Sequence, residues 1–201
     1  MGDSSDIVVE VIVWEGITVN PFGHISTKIT KNGITYSYSL EHGYKPRLVC
    51  NKESFRQLDK HEQRIRSGNG LILNVTEDQA KEIFIVMQTR FHDYKGSGCD
   101  YLTFWHNCTS AIQRALKKSG VNLYDFVFHS TILPAYVERN ILKTKNNGGW
   151  LVKEIIKYKK GEDKGVVVNK DEDVLLFGVN VQRTKEGWYT DATLDIHIMQ
   201  G

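Results

Sequence analysis

Residues 107–120, Asn-Cys-Thr-Ser-Ala-Ile-Gln-Arg-Ala-Leu-Lys-Lys-Ser-Gly, decide how this chain is organised. Asn107 is a favourable N-cap, and the residues after it have the apolar spacing of a helix that is buried on one side. Gly120 predicts the end of this helix. Cys108 therefore falls in the first turn, where unpaired backbone N–H groups and the helix dipole favour a thiolate, so it is a candidate nucleophile. The alternative is a structural cysteine, because free cysteines are often buried.

A histidine far upstream supports the nucleophile interpretation. Residues 21–29, Pro-Phe-Gly-His-Ile-Ser-Thr-Lys-Ile, place His24 near the start of a predicted strand. A nucleophilic cysteine works with a base that comes close only in the folded chain, so the long separation is no objection. His106 is a weaker candidate, since a residue so near to Cys108 would usually point away from the thiol.

The hairpin that contains His24 predicts a neighbour for its ring. Asn32-Gly33 is a strong turn signal between two strand patterns, residues 22–30 and 34–40. Pairing around this turn puts His24 opposite Glu41, on the side of the sheet that faces away from Ile25.

A catalytic histidine needs a polar group that fixes its tautomer, and Glu41 is the candidate that follows from the register. A solvated strand end is the alternative interpretation of Glu41. A slip of register would instead bring one of three other residues to the ring, namely His42, Ser39 or Tyr36.

Two motifs together resemble a known group of enzymes. PFGHISTKI with NGITYSYS, followed much later by YLTFWHNCTSAIQRAL, is similar to the circularly permuted papain-like cysteine hydrolases. These are related to the cell-wall peptidases of the NlpC/P60 superfamily, and the lecithin-retinol acyltransferase-like proteins are their cousins. In this group the histidine strand precedes the cysteine helix, and the similarity covers about residues 7 to 140.

The resemblance implies an α+β fold in which an antiparallel sheet packs on the helix that bears the cysteine. It implies a catalytic Cys108 and His24, with the backbone N–H of Cys108 as an oxyanion donor and Asn107 as the supporting cap residue. The implied reaction is cleavage of an amide bond in peptidoglycan peptides, because type VI secretion effectors that attack peptidoglycan resemble this arrangement. The same chemistry would also serve a lipid or protein acyl hydrolase or transferase, or a protein deamidase. A binding module on a degenerate scaffold is the non-enzymatic alternative.

Composition excludes several other classes. The chain has 201 residues, of which 40% are hydrophobic and 25% charged, and its net charge of +2 predicts no nucleic-acid partner. Three cysteines do not make a disulfide scaffold, and no C-x-x-C or H-E-x-x-H spacing predicts a metal site. We expect no cofactor.

The sequence also supports expectations about location and partners. It shows no secretory signal and no apolar run of membrane-spanning length. We therefore expect synthesis in the cytoplasm and export to a target cell by a dedicated secretion system. The expected partners are a peptidoglycan or peptide substrate and an immunity or carrier protein.

Periodicity predicts the remaining organisation of the chain. We predict a catalytic domain at residues 1–142 and a C-terminal β extension at residues 143–201, which packs on the catalytic domain or extends its sheet. Residues 143–149 have the composition of a linker. The other predicted elements are strands at 7–14 and 71–75, a helix that starts after Thr76, a loop at 93–100, a helix at 134–142 and C-terminal strands at 151–158, 165–168, 174–181 and 193–199.

Overall fold

The computed structural model has an α+β fold. It describes residues 7–18, 22–39, 62–97, 107–124, 133–162, 164–168, 174–176, 179–184 and 187–190. The helices are α1 (Glu77–Ser97), α2 (Cys108–Lys118) and α3 (Pro134–Lys143). The strands are β1 (Ile7–Trp14), β2 (His24–Lys31), β3 (Ile34–Ser39), β4 (Gly68–Leu73), β5 (Lys145–Asn146), β6 (Gly149–Trp150), β7 (Val152–Tyr158), β8 (Val166–Val167), β9 (Val174–Leu176), β10 (Val179–Thr184) and β11 (Gly187–Thr190).

A six-stranded antiparallel sheet forms the centre of the molecule. Its strand order is β3-β2-β1-β4-β7-β8. β1 lies in the interior because its run of β-branched residues is buried on both faces, as the sequence predicts. β5 and β6 form a separate hairpin, and β9 to β11 form a three-stranded sheet.

The main core lies between this sheet and the three helices. Alternate residues of β1 and β2, including Val11, Val13 and Ile25, share one apolar cluster with Ile83 of α1 and Ile112 of α2. α3 adds Val137, Ile141 and Leu142 to the same cluster. We call this side of the sheet the helix face.

The opposite side carries Ile12, Trp14 and Tyr158, and we call it the Trp14 face. The Tyr158 hydroxyl donates to Glu10 Oε1 over 2.7 Å, and Lys28 Nζ lies 3.4 Å from Glu10 Oε2. Every buried polar group needs such a partner. These contacts link β7 to β1 and β2 across the sheet.

The β2–β3 hairpin confirms the predicted register. Thr27 lies opposite Tyr38 and Ser26 lies opposite Ser39. Asn32 and Gly33 have φ angles of 50° and 70°, which is the left-handed turn that an Asn-Gly pair favours.

The sequence misplaced the start of β4. The predicted strand covered residues 71–75, but the observed strand begins at Gly68 and ends at Leu73. Glycines weaken strands, so the sequence pattern does not predict a strand at Gly68 and Gly70. In the structure a Cβ at Gly68 would collide with the Trp14 ring, and one at Gly70 would collide with the Glu10 carboxylate. The two glycines therefore give these side chains the space they need on the Trp14 face.

The start of α1 was predicted correctly and its end was not. Gln79 N donates to Thr76 Oγ1 over 3.2 Å, and Thr76 N donates to Gln79 Oε1 over 3.0 Å, so the two residues form a capping box. The loop predicted from residue 93 is wrong as far as residue 97, because α1 continues to Ser97. A glycine inside a helix, such as Gly96, destabilises the helix by about 1 kcal/mol relative to alanine. The helix continues through Gly96 despite this cost.

The predicted linker at residues 143–149 is also wrong. Lys143 ends α3, and the rest forms the β5–β6 hairpin around Asn147 and Gly148, whose φ angles are 51° and 75°. β7 then pairs with β4, so it extends the main sheet although it follows the predicted domain boundary. β11 was not predicted, and the strand predicted at 193–199 lies outside the described residues.

Candidate active site

Cys108 is the first residue of α2, as predicted. Asn107 is the N-cap, and its Oδ1 accepts from Ser110 N over 2.8 Å and from Thr109 Oγ1 over 2.6 Å. In return Asn107 N donates to Ser110 Oγ over 3.0 Å. This reciprocal capping box satisfies the first amides of the helix and holds the Cys108 backbone in the first turn.

The Cys108 side chain has little contact with solvent. It is 8% exposed and belongs to the apolar cluster of the helix face. α2 packs against β2 and α1, and Ile112 and Leu116 are fully buried there.

His24 is the first residue of β2 and lies on the Trp14 face. It pairs with Trp14 of β1, and its ring Nε2 lies 2.6 Å from Ser39 Oγ of β3. Trp14 Nε1 donates to Ser26 Oγ over 2.9 Å on the same face. Strand alternation therefore places a row of buried polar side chains beside the histidine ring.

The His24 ring is neutral at physiological pH. Burial, and after it the positive charge of Arg66, lower the pKa of His24 from 6.5 to about 3. A neutral imidazole has a nitrogen that can accept a proton, and a pKa this far below 7 makes it a weaker base than an ordinary histidine.

Arg66 is a residue near this site that sequence reasoning missed. Its Nε lies 2.5 Å from Glu62 Oε2, and its Nη1 donates to the Glu15 carbonyl over 3.3 Å. These contacts tie the segment before β4 to the end of β1. The spacing of Glu62 and Arg66, four residues apart, is the signal that could have indicated the pair.

The structure describes two of the four candidates for a third residue, Ser39 and Tyr36. It brings Ser39 to His24, whereas Tyr36 lies on the helix face, where its ring packs edge-on against Phe84 at 5.0 Å. Glu41, His42 and His106 lie outside the described residues.

The pairing of Cys108 with His24 stays a prediction. α2 packs against the helix face of β2, whereas the His24 side chain lies on the other face of that strand. Ile25 lies in the cluster that contains Cys108, and His24 lies beside Trp14 on the opposite face. Catalysis by this pair requires the thiol and the ring to meet around the start of β2.

A buried carboxyl group lies near the same end of the sheet. Glu138 of α3 accepts a 3.5 Å hydrogen bond from Asn69 Nδ2 of β4. Burial raises the pKa of Glu138 well above its usual value, and the charge of Glu15 also raises it. No sequence pattern indicated this group, which is simply a charged residue in a predicted helix.

Metal-binding groups and membrane-spanning helices are both absent from the described residues. They contain no group of three or more acidic, histidine or cysteine side chains that could hold a metal ion. None of the helices in this part of the chain has the length and apolar content needed to cross a membrane.

Comparison with known proteins shows that the chain shares its fold with a solved structure. No protein-family model matches the chain, and no curated protein sequence does. The crystal structure of a type VI secretion system effector, TseH, is similar over 84% of this chain and all of that chain, with a TM-score of 0.54 and 14% identity. At this identity the similarity shows a shared fold. The permuted papain-like assignment therefore stays a hypothesis.

Proposed function

We propose that this protein is a secreted cysteine hydrolase that cleaves an amide bond in peptidoglycan peptides. The observation that carries the proposal is the His24–Ser39 contact of 2.6 Å, because it provides a buried, neutral and oriented imidazole. Cys108 at the capped start of α2 supplies the candidate nucleophile.

The proposed reaction has two steps. In the first, His24 takes the thiol proton as Cys108 Sγ attacks the amide carbonyl, and then delivers this proton to the leaving amine. A thioester remains on the enzyme. In the second step water loses a proton to His24 and attacks the thioester, which releases the carboxylic acid and restores the thiol.

Neighbouring groups have defined roles in this mechanism. The Cys108 backbone N–H, in the first turn of α2, is the proposed oxyanion donor, and Asn107 holds that turn in place. Ser39 is the proposed group that orients the His24 ring. Glu41, the residue proposed from the register, is the alternative for this role.

The substrate and the route of export are proposed from two similarities, one in sequence motifs and one in fold. The two sequence motifs resemble permuted NlpC/P60-like enzymes, and the fold is similar to that of TseH, a type VI secretion system effector. Export into a competing cell would bring the enzyme to peptidoglycan and would require an immunity protein in the producing cell. One fold can carry many activities, so the substrate is identified by a direct assay.

The test is hydrolysis of purified muropeptides, followed by mass spectrometry of the products. Cys108→Ala and His24→Gln are each expected to reduce the rate by at least about a thousandfold, because nucleophile and base act as one unit. Ser119→Ala, at the opposite end of α2, is the matched control and should retain the wild-type rate. Circular dichroism verifies that each variant is folded.

Two results would contradict the mechanism. Undiminished hydrolysis by folded Cys108→Ala would exclude the thiol as nucleophile. Ser39→Ala should lower the rate by about ten- to a hundredfold if Ser39 orients the ring. Complete loss in Ser39→Ala together with full activity in Cys108→Ala would instead make Ser39 the nucleophile, since its hydroxyl already contacts the base.

A further inference from the structure

A cluster of cationic and aromatic side chains lies where α3 ends and β5 begins, and it includes none of the residues assigned to the candidate active site. Arg139 and Lys143 are one helical turn apart on α3, and Lys145 opens β5. Tyr124 and Trp150 lie beside the two lysines. We call these five residues the cationic cluster.

Two aromatic rings hold the lysines in position. Lys143 Nζ lies 5.8 Å from the centre of the Tyr124 ring, and Lys145 Nζ lies 5.2 Å from the centre of the Trp150 ring. Lys145 and Trp150 are cross-strand partners in the β5–β6 hairpin. Tyr124 N donates to Thr144 Oγ1 over 2.9 Å, which ties the segment of Tyr124 to the residue between the two lysines.

The positive charges of this cluster lack a counter-charge within the described structure. In that part of the chain no carboxylate lies within ion-pair distance of Arg139, Lys143 or Lys145. Partial burial and the nearby charge of Arg139 lower the pKa of Lys143. A group of positive charges that has no acidic side chain beside it destabilises the folded protein, and a bound anion removes this repulsion.

The surface of the cluster is open to a partner. Lys145 is exposed, and the Tyr124 ring is 66% exposed, which is unusual for a large aromatic side chain. Exposed aromatic rings beside cations are typical of binding surfaces, where the ring supplies apolar contact and the cation supplies charge.

We propose that the cationic cluster binds the carboxylate-bearing glycan–peptide polymer of peptidoglycan and anchors the enzyme on it. This proposal rests on the proposed function, because it names a second contact with the same substrate. A nucleic acid fits the cluster less well, since specific duplex binders commonly make about six to ten phosphate contacts and this cluster offers three cations. The whole chain also has a net charge of only +2.

The first experiment measures binding and does not depend on catalysis. Full-length Cys108→Ala protein is sedimented with insoluble peptidoglycan sacculi at low and high salt. Adding Arg139→Gln, Lys143→Gln and Lys145→Gln should weaken binding about tenfold, which corresponds to three exposed charge contacts. High salt should reduce the binding of the parent protein, because screening weakens exposed charge pairs.

The matched control removes three exposed positive charges elsewhere, through Lys118→Gln, Lys160→Gln and Lys164→Gln. This variant has the same net charge as the cluster variant and should bind sacculi like the parent protein. Equal binding by the cluster and control variants would overturn the proposal. So would binding that is seen with duplex DNA but not with sacculi.

A second experiment separates this proposal from the proposed function. With Cys108 present, the cluster variant should digest sacculi several-fold more slowly than the control variant, while both cleave small soluble muropeptides at the wild-type rate. If the wild type cleaves neither substrate, the proposed function fails, and the sedimentation result still decides the binding proposal. Loss of sacculus binding in the control variant would show that total charge, and not this cluster, is responsible.

Discussion

Individual polar residues on the Trp14 face are buried in pairs. His24 contacts Ser39, Trp14 donates to Ser26, and Tyr158 donates to Glu10. A buried polar group without a partner costs roughly 1–3 kcal/mol, so such pairs specify which residues can occupy this face. The contact between His24 and Ser39 is therefore one of the pairs that stabilise this face.

At the level of a single residue, the raised pKa of Glu138 predicts how the stability of the protein depends on pH. The folded-state pKa of Glu138 is raised by burial, whereas the carboxyl of an unfolded chain titrates near 4.5. Above that pH the unfolded state releases a proton that the folded state keeps, so the free energy of unfolding falls as pH rises until the folded pKa is passed. The loss is roughly 1.4 kcal/mol for each unit between the two pKa values.

Glu138→Gln cannot ionise and retains an oxygen that can accept from Asn69. We expect urea unfolding at about pH 5 and about pH 8 to show a smaller loss of stability in this variant than in the wild type. Glu162→Gln, at an exposed turn, is the control and should keep the wild-type difference. An identical pH dependence in Glu138→Gln and wild type would show that Glu138 is already ionised in the folded protein.

At the scale of elements, the side chain of Asn107 stabilises the N-terminus of α2. Asn107 Oδ1 accepts two hydrogen bonds at the start of the helix. Asn107→Ala should lower the free energy of unfolding by about 1 kcal/mol, because an orphan amide loses its acceptor. Thermal unfolding followed by circular dichroism measures the effect.

Asn107→Asp provides the matched control for this cap. An aspartate keeps the accepting oxygen and adds a negative charge at the positive end of the helix dipole, so it should be as stable as the wild type. Equal destabilisation by the alanine and aspartate variants would mean that the Asn107 amide nitrogen, rather than Oδ1, makes the essential contact.

At the scale of the whole molecule, the C-terminal part completes the central sheet. β7 pairs with β4 and buries Val152, Ile155 and Tyr158. Without it, β4 would become an edge strand and the apolar surface beneath it would meet water, at roughly 25 cal/mol for each Å² exposed. The predicted catalytic region thus depends on residues beyond its predicted boundary.

A truncated chain tests this dependence. Residues 1–150 should show no cooperative thermal transition by circular dichroism, because they lack β7. Residues 1–168 keep β7 and β8 and should retain a cooperative transition, which makes this longer chain the control. A sharp transition in the 1–150 protein would mean that the N-terminal region folds independently.

Local signals in the sequence predicted several elements with their bounds. β1 covers the predicted residues 7–14, and the Asn32-Gly33 turn predicted the β2–β3 register. Asn107 and Thr76 predicted the starts of two helices. These features depend on backbone preferences and on hydrogen bonds between residues close in the chain, so neighbouring residues are enough to predict them.

The errors have a different origin. Gly68 and Gly70 belong to a strand because Trp14 and Glu10, remote in sequence, need the space above them. The Ser39 contact with His24 was one of several alternatives until the strands were paired. Arg66 and Glu138 were not predicted at all, since their effect depends on burial and on charges from other elements.

The sequence by itself determined the capped cysteine helix, the histidine hairpin and the α+β class, because each follows from short-range geometry and apolar spacing. The tertiary structure alone decided which face of the sheet holds His24, which hydroxyl contacts its ring, and that β7 lies inside the main sheet. The physical reason is that burial, charge–charge interaction and strand order are properties of segments far apart in the chain, and they exist only once those segments have packed together.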